Sequence, residues 1–325
     1  MRTSVTIAIP AYDAEAFIED TINSIIQQTY PIDEIIICDD CSNDNTILRV
    51  NEFIENTKFE NIRLIENEYN LGYQKNWNIC LETATSDFVL LLHDDDLLKP
   101  DTIEKQIQFF QNHPDIALVG GNEDFINENG NMTKESKPKE NKIYQKGQIY
   151  EFVLNSGSYI ACSSVMFNME KIRQVGFFKE NVLATDELYW PKVLTKFPIA
   201  VLGESLINRR IHPGQTEYKD FFNNYSKVLS AFKTLYKIVD YENRNKYKKK
   251  VRKLINKKVS SSALNIAIKI LIIYKDMSIS LKYLLFSIKT NPFVFTKKAF
   301  WRLIFHSIFD YKKNVPFQNL VDQKG

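Results

Sequence analysis

The sequence predicts an α/β chain, with a mostly parallel, Rossmann-like sheet flanked by helices and a helical region after it. Three observations lead there. Short β-branched runs alternate with helix-period segments over residues 5–120. The strand runs are nearly unbroken apolar stretches, as strands covered on both faces require. From about residue 221 the texture turns Lys-rich and Ile/Leu-rich, at helical spacing, almost to the end.

The elements follow in order. Residues 5–9 (VTIAI) form a β run closed by Pro10, and Phe17, Ile18, Ile22, Ile25 and Ile26 then fall on one helix face. Residues 34–38 (EIIIC) are a second buried strand ending in Asp39 and Asp40. A helix through Ile47, Val50, Phe53 and Ile54 leads to a strand at 62–65. Asn70 and Gly72 mark a turn before a helix at 74–83, and the strand FVLLL covers 88–92. A helix at 100–112 and a strand at 117–120 come next. Residues 127–146, poor in apolar groups, are expected to be a mobile loop. YIACSSVMF is strand-like, and TDELYWPKVLTKF starts a helix despite Pro191.

The hydrophobic fraction of 44% and charged fraction of 25% are those of a globular protein with a real core. The net charge of +2 hides an asymmetry: residues 1–217 hold 19 Lys and Arg against 34 Asp and Glu, residues 218–325 hold 23 against 6. An acidic part, 1–217, is therefore expected to precede a basic, amphipathic helical region, 218–325. The opening MRTSVTIAIPAY is not a signal peptide, because Pro10 breaks its short apolar run. No stretch reaches the ~18 apolar residues of a spanning helix. Cys38 and Cys41 form a C-x-x-C with no second ligand pair elsewhere, so the four cysteines are expected to be reduced and the protein cytoplasmic.

In open α/β sheets, ligands bind beyond the carboxyl ends of the strands. Here those ends carry PAYDAE, CDDCSND and HDDD. Three consecutive aspartates at a strand tip repel one another. Either they cap the following helix in solvent, or a cation holds them together.

The stretch VTIAIPAYDAEAFIEDTINSIIQQTYPIDEIIICDDCSNDNT, followed in order by NLGYQKNWN, FVLLLHDDDLLKPDTI, SSVMF, VGFFKEN, TDELYW and RRIHPGQT, resembles the inverting GT-A enzymes of glycosyltransferase family 2, of the bacterial surface-polysaccharide type. The resemblance covers about residues 4–217 and implies a catalytic domain at 1–217. It implies a nucleotide-sugar site from Pro10, Ala11, Tyr12 and Glu15, with Tyr12 against the base and Glu15 toward the ribose or the base edge. It places Asp40 on a pyrimidine ring, and so a UDP-sugar donor. Gly72, Lys75, Asn76 and Asn78 match the segment near the diphosphate. Asp94 and Asp95 match the DxD region on the donor side. Asp95, Asp96 and His212 are the implied ligands of Mn²⁺ or Mg²⁺. His93 stands where many members have the first aspartate and is read as a turn residue. Asp186 matches the catalytic base, although Thr185 replaces the usual preceding Glu. Without the resemblance Asp186 would be read as a helix cap.

The implied activity is transfer of a sugar, with inversion, to a saccharide or lipid-linked saccharide acceptor in surface polysaccharide assembly. Two rivals are a nucleotidyltransferase, whose Gly-rich triphosphate loop PAYDAE lacks, and a catalytically silent nucleotide-sugar-binding scaffold, which would not need both acidic positions. Tyr189 and Trp190 either stack on an acceptor sugar or are buried on a helix face. In the basic region, Lys275, Lys282 and Lys289 form a helical stripe beside a wide apolar face, and Phe293, Phe295, Phe300, Trp301, Leu303, Ile304 and Phe305 add an aromatic cluster among Lys297, Lys298 and Arg302. That pattern suits a helix on the inner face of the plasma membrane. Packing on the catalytic core is the alternative, and the acidic first part argues against nucleic acid.

Overall fold

Ile7, Ile9, Ile35 and Ile37 have no exposed surface, and their two strands pair in parallel, Ile7 beside Ile35 and Ile9 beside Ile37. This is the double-sided burial that unbroken apolar runs predict. The computed structural model describes residues 3–154, 160–180, 185–212, 248–271, 277–298 and 300–301. The chain divides into two compact units, Met1–Gly214 and Gln215–Gly325.

In the first unit the strands are β1 Val5–Ala11, β2 Glu34–Asp39, β3 Ile62–Glu66, β4 Phe88–Leu91, β5 Leu97–Leu98, β6 Leu118–Asn127, β7 Met132–Lys134, β8 Lys142–Tyr144, β9 Met166–Asn168 and β10 Ile199–Ile211. The helices are α1 Ile18–Ile26, α2 Thr46–Asn56, α3 Tyr73–Thr83, α4 Thr102–Asn112, α5 Ile149–Leu154, α6 Met169–Val175 and α7 Thr185–Leu194. The sheet runs β3-β2-β1-β4-β9-β6-β10-β5, with β7 on β6 and β8 on β10. β3, β2, β1 and β4 are mutually parallel, as are β6 and β10, whereas β9 and β5 run antiparallel to their neighbours.

β1 is the switch point: the chain leaves it for β2 on one side and reaches β4 on the other. Its end, and those of β2 and β4, open onto one edge. α1 covers the core with Ile18, Ile22 and Ile25, all fully buried.

The polar stretch 127–146 departs from the expected mobile loop. β7 pairs with β6, and β8 pairs antiparallel with β10, Ile199 beside Tyr144. Sheet edges bind whatever supplies backbone hydrogen bonds, and low hydrophobicity does not prevent that. Between these strands the chain passes close to Gly203: a Cβ there would lie 1.8 Å from the Lys139 carbonyl oxygen. β5 and the length of β10 also escaped the sequence reading. A two-residue strand has no period to detect, and β10 mixes Gly, Glu, Asn and Arg into its run.

The second unit holds α8 Lys248–Lys269, α9 Met277–Thr290 and a 3-10 turn at Pro292–Thr296. α9 packs on α8 through Ser280, Tyr283, Leu284 and Ser287, at the i, i+3, i+4, i+7 spacing of one face. Ser260 Oγ donates to the Ser287 carbonyl at 2.9 Å and Ser287 Oγ to the Ser260 carbonyl at 2.7 Å. Ser280 Oγ reaches the Ala267 carbonyl at 2.9 Å. Small residues, with Ala263 and Ala267 fully buried, permit that approach. Lys275, Arg302, residues 303–305 and the start of the basic region at 218–247 lie outside the described residues.

Candidate active site

Two loops meet beyond the ends of β1 and β2, and their side chains tie each other down. Asp13, at φ 50°, accepts from the Asn43 N–H at 2.8 Å while its own N–H donates to Ser42 Oγ at 3.0 Å. Glu15 Oε2 accepts from the Asn45 N–H and Nδ2 at 2.9 and 2.8 Å, and the Glu15 N–H donates to Asp44 at 3.0 Å. Asp44 lies below its ordinary pKa: burial pushes it up, and donors on Thr46 and Glu15 outweigh that. Glu15 thus fastens the two loops in addition to any role toward ribose. The Tyr12 ring stays 41% exposed, its hydroxyl accepting from Asn43 Nδ2 at 3.2 Å, so a base can lie on it.

Asp40 is buried and ties a third loop. Its carboxylate accepts from the N–H groups of Leu71 and Gly72 at 2.8 and 2.9 Å, and from Asn67 Nδ2 at 3.0 Å. Gly72 has φ 86°, a left-handed conformation that side chains resist, so glycine is what lets its N–H face Asp40. Asn76 and Asn78 are buried and engage backbone instead of facing outward. Asn76 Nδ2 donates to the Cys38 carbonyl at 2.7 Å. Asn78 bridges Phe178, donating to its carbonyl at 3.0 Å and accepting from its N–H at 2.9 Å. Pro10 and Ala11 are buried at the end of β1, and Lys75 is exposed near the start of α3.

The turn His93–Asp94–Asp95–Asp96 lies between β4 and β5. It is held from four sides. Asp94 Oδ2 accepts from the Tyr12 N–H at 2.9 Å, and the Asp94 carbonyl accepts from Thr21 Oγ1 at 2.9 Å. The His93 N–H donates to Ser163 Oγ at 2.9 Å, and the Ser163 side chain also hydrogen-bonds Asp96. Asp96, only 2% exposed, accepts from the Arg210 N–H at 3.0 Å. His212 Nε2 lies 3.0 Å from Asp95 Oδ2, its ring against Phe17.

Arg210 was missed by the sequence reading and is central here. It is 1% exposed, yet its guanidinium reaches the Asp95 carbonyl at 3.0 Å, the Glu128 carbonyl at 2.8 Å and Asp20 at 3.1 Å, with Phe17 stacked 4.8 Å away. It braces the acidic turn from behind. The only sequence signal was a charged residue in a strand one position from a second arginine, which does not reveal which of the two points inward.

His93, read as a turn residue, also lies beside the acidic side chains. Its ring stacks on Trp77 at 5.3 Å, and its Nδ1 lies 3.9 Å from Asp96 Oδ2. Among the described residues, His93, Asp95 and Asp96 bring one ligand atom each within 4.8 Å of one another. One imidazole and two carboxylates are a donor set suited to Mn²⁺ or Mg²⁺, Mn²⁺ the better for the nitrogen. His212 joins this group through Asp95. Burial first, and then the charge of Asp95, push the Asp94 and Asp96 carboxyls well above the usual carboxylate range. With folded values above unfolded ones, these groups favour folding in acid and lose that contribution as pH rises through their raised values.

Asp186 sits half-buried in the first turn of α7, with Glu187 exposed beside it. The Cys162 thiol stands in a 3-10 turn, Cys162–Ser164, just before β9. Burial pushes that thiol up, and the charges of Asp186 and Asp96 push it further while Arg209 opposes them. Tyr189 and Trp190, each 2% exposed, pack with Phe167 and Phe178, so they are core and not a sugar platform. All four cysteines are free.

The profile of Glycosyl transferase family 2 matches residues 6–176. WfgD of Escherichia coli, a UDP-Glc:α-D-GlcNAc-diphosphoundecaprenol β-1,3-glucosyltransferase, is 32% identical over 173 residues, 53% of this chain and 63% of WfgD. Among solved structures, residues 1–349 of S. aureus TarS superpose with a TM-score of 0.60 at 18% identity, covering 89% of this chain and 81% of that one. The mannosyltransferase PcManGT of Pyrobaculum calidifontis, solved with GDP-Man and Mn²⁺, gives 0.57 at 16% identity, covering 90% and 88%. Family profile and shared fold agree: the chain belongs to glycosyl transferase family 2 and has the GT-A fold.

Proposed function

We propose that this glycosyltransferase moves a sugar from a UDP-sugar to an acceptor hydroxyl with inversion, and that the acceptor is a diphosphate-linked lipid saccharide in surface polysaccharide assembly. The observation that carries the reading is the acidic turn at the strand ends, where His93, Asp95 and Asp96 each bring a ligand atom within 4.8 Å of one another, in a chain that matches the glycosyl transferase family 2 profile over residues 6–176. WfgD, whose name specifies a UDP-glucose donor and a diphosphoundecaprenol-linked acceptor, supports the substrate classes. TarS has been solved with UDP-GlcNAc, on the same fold.

In this reading the exposed face of Tyr12 receives the uracil, while Asp40 and Gly72 fix the loop along the nucleotide. His93, Asp95 and Asp96, with His212 behind Asp95, would hold Mn²⁺ or Mg²⁺, which when bound neutralises charge on the departing diphosphate. Asp186 takes the proton from the acceptor hydroxyl as that oxygen attacks the anomeric carbon. One carboxylate suffices, because inversion needs no covalent intermediate. Such an acceptor resides in a bilayer, so the enzyme works at a membrane surface. No helix among the described residues is long and apolar enough to cross one.

The test is incubation with a panel of UDP-sugars and a synthetic diphosphate-linked GlcNAc acceptor in Mn²⁺. Product of inverted anomeric configuration, seen by NMR, is expected with one of them. Product that retains the donor's configuration would sink the mechanism. The absence of both transfer and hydrolysis with every donor would favour the scaffold reading.

A further inference from the structure

We infer that the exposed side of α9 and the 3-10 turn after it form a docking surface for an anionic phospholipid bilayer, an inference that rests on the membrane-bound acceptor proposed above. α9 buries Ser280, Tyr283, Leu284 and Ser287, which leaves its opposite side to solvent. On that side Leu281 and Leu285 stand one turn apart, 44% and 64% exposed. Lys282 and Lys289, two turns apart, are exposed next to them. The chain then leaves the helix and presents Phe293 at 66% and Phe295 at 47%, their rings 6.3 Å apart, while Val294 between them is buried. Trp301 follows at 55%, and Lys298 is exposed close before it.

A soluble surface gains nothing from exposing this many large apolar groups within one short segment. The charge around them selects the occupant. Residues 248–271 and 277–301 contain no Asp or Glu. A two-fold contact with a second copy would bring Lys282 and Lys289 against a face with no acid to meet them. A nucleic acid would satisfy the lysines but offers no apolar layer for Leu281 and Leu285. An anionic bilayer offers both: acyl chains to a depth of about 5–10 Å for the leucines and rings, and phosphate for the lysines. The exposed mixture also refines the expected wide apolar face with a narrow basic edge, because part of the apolar face is spent on α8.

The full-length protein can be sedimented with vesicles of phosphatidylcholine alone and with vesicles that include phosphatidylglycerol. Binding is expected to the second and to be weak with the first. Trp301 reports the contact, because Trp77 and Trp190, at 8% and 2% exposure, are already buried, so a blue shift on binding arises from Trp301. Leu285→Ser with Phe293→Ser is expected to lower binding roughly tenfold or more. Lys282→Gln with Lys289→Gln should lower it by roughly 10- to 30-fold on the anionic vesicles and leave the neutral ones unchanged. Mn²⁺-dependent UDP binding should be unaltered in both variants, which separates failure here from failure of the transferase reading. Equal binding to both vesicle types, bound protein with unshifted Trp301 emission, or variants that bind like wild type would overturn the inference. So would a dimer in solution that the Leu285→Ser, Phe293→Ser variant dissolves.

Discussion

Replacing Asp186 by Asn is expected to leave UDP-sugar binding near wild type and to lower kcat by about two to four orders of magnitude, the usual worth of a positioned general base. The substitution keeps size and hydrogen-bonding shape while removing the ability to accept a proton. It is also gentle to the fold, since Asn serves a helix start about as well as Asp. The chief rival role is structural: Asp186 lies in the first turn of α7, where a negative charge is favourable. A helix-terminal role would show as a small change in Tm with kcat intact. Parallel measurement of Tm, donor Kd and kcat separates the two. If kcat holds within a factor of two or so while Tm falls, Asp186 is not the base. Glu187, exposed beside it, would then be examined next.

The second large effect concerns Arg210. Arg210→Met should destabilise the protein by about 1–3 kcal/mol, because the Asp95 carbonyl loses a charged donor, at about 1–3 kcal/mol for an acceptor left unsatisfied, while the carbonyl of exposed Glu128 can return to water. The Met chain fills much of the space, so packing loss is a smaller part. Asp20 is 63% exposed and returns to water at little cost. The acidic turn also loses its brace, so Mn²⁺-dependent UDP binding should weaken more than the stability change requires. Denaturant melts with UDP titrations on the same preparation check both. Wild-type stability in Arg210→Met would mean that the turn is held by Tyr12, Thr21, Ser163 and the backbone N–H of residue 210 without the guanidinium.

How much of this could be read in advance depended on the type of signal. The parallel half of the sheet was legible because Val5–Ala11, Glu34–Asp39 and Phe88–Leu91 are apolar runs buried on both faces. The strand ends, and so the acidic edge, followed from topology. β5, β7, β8 and most of β10 were not legible, since short or polar strands are specified by the partner they pair with and not by their own period. The same distinction runs through the site. Asp94, Asp95 and Asp96 announce themselves as a charge cluster. His93 did not, because its ring nitrogen comes near Asp96 through a turn whose geometry Ser163 and Trp77 set from elsewhere in the chain. Asn76 and Asn78 read as nucleotide contacts by motif, yet their amides bind Cys38 and Phe178 backbone, since a buried amide must be satisfied where it lies.

The central claim is that the acidic turn holds donor through a cation while Asp186 does a separate job. The most direct test is the Tm of wild type, Asp96→Asn and Asp186→Asn, each with Mn²⁺, UDP, both and neither. Ligand that binds only the native state raises Tm by mass action. Wild type and Asp186→Asn are expected to rise with Mn²⁺ and UDP together far more than with UDP alone. That gain should shrink in mildly acidic buffer, where protons compete with the cation for Asp96. Asp96→Asn should melt no lower than wild type without metal, because it removes a buried charge, and should lose the gain. An undiminished Mn²⁺-dependent rise in Asp96→Asn, or no rise in wild type, would contradict the claim.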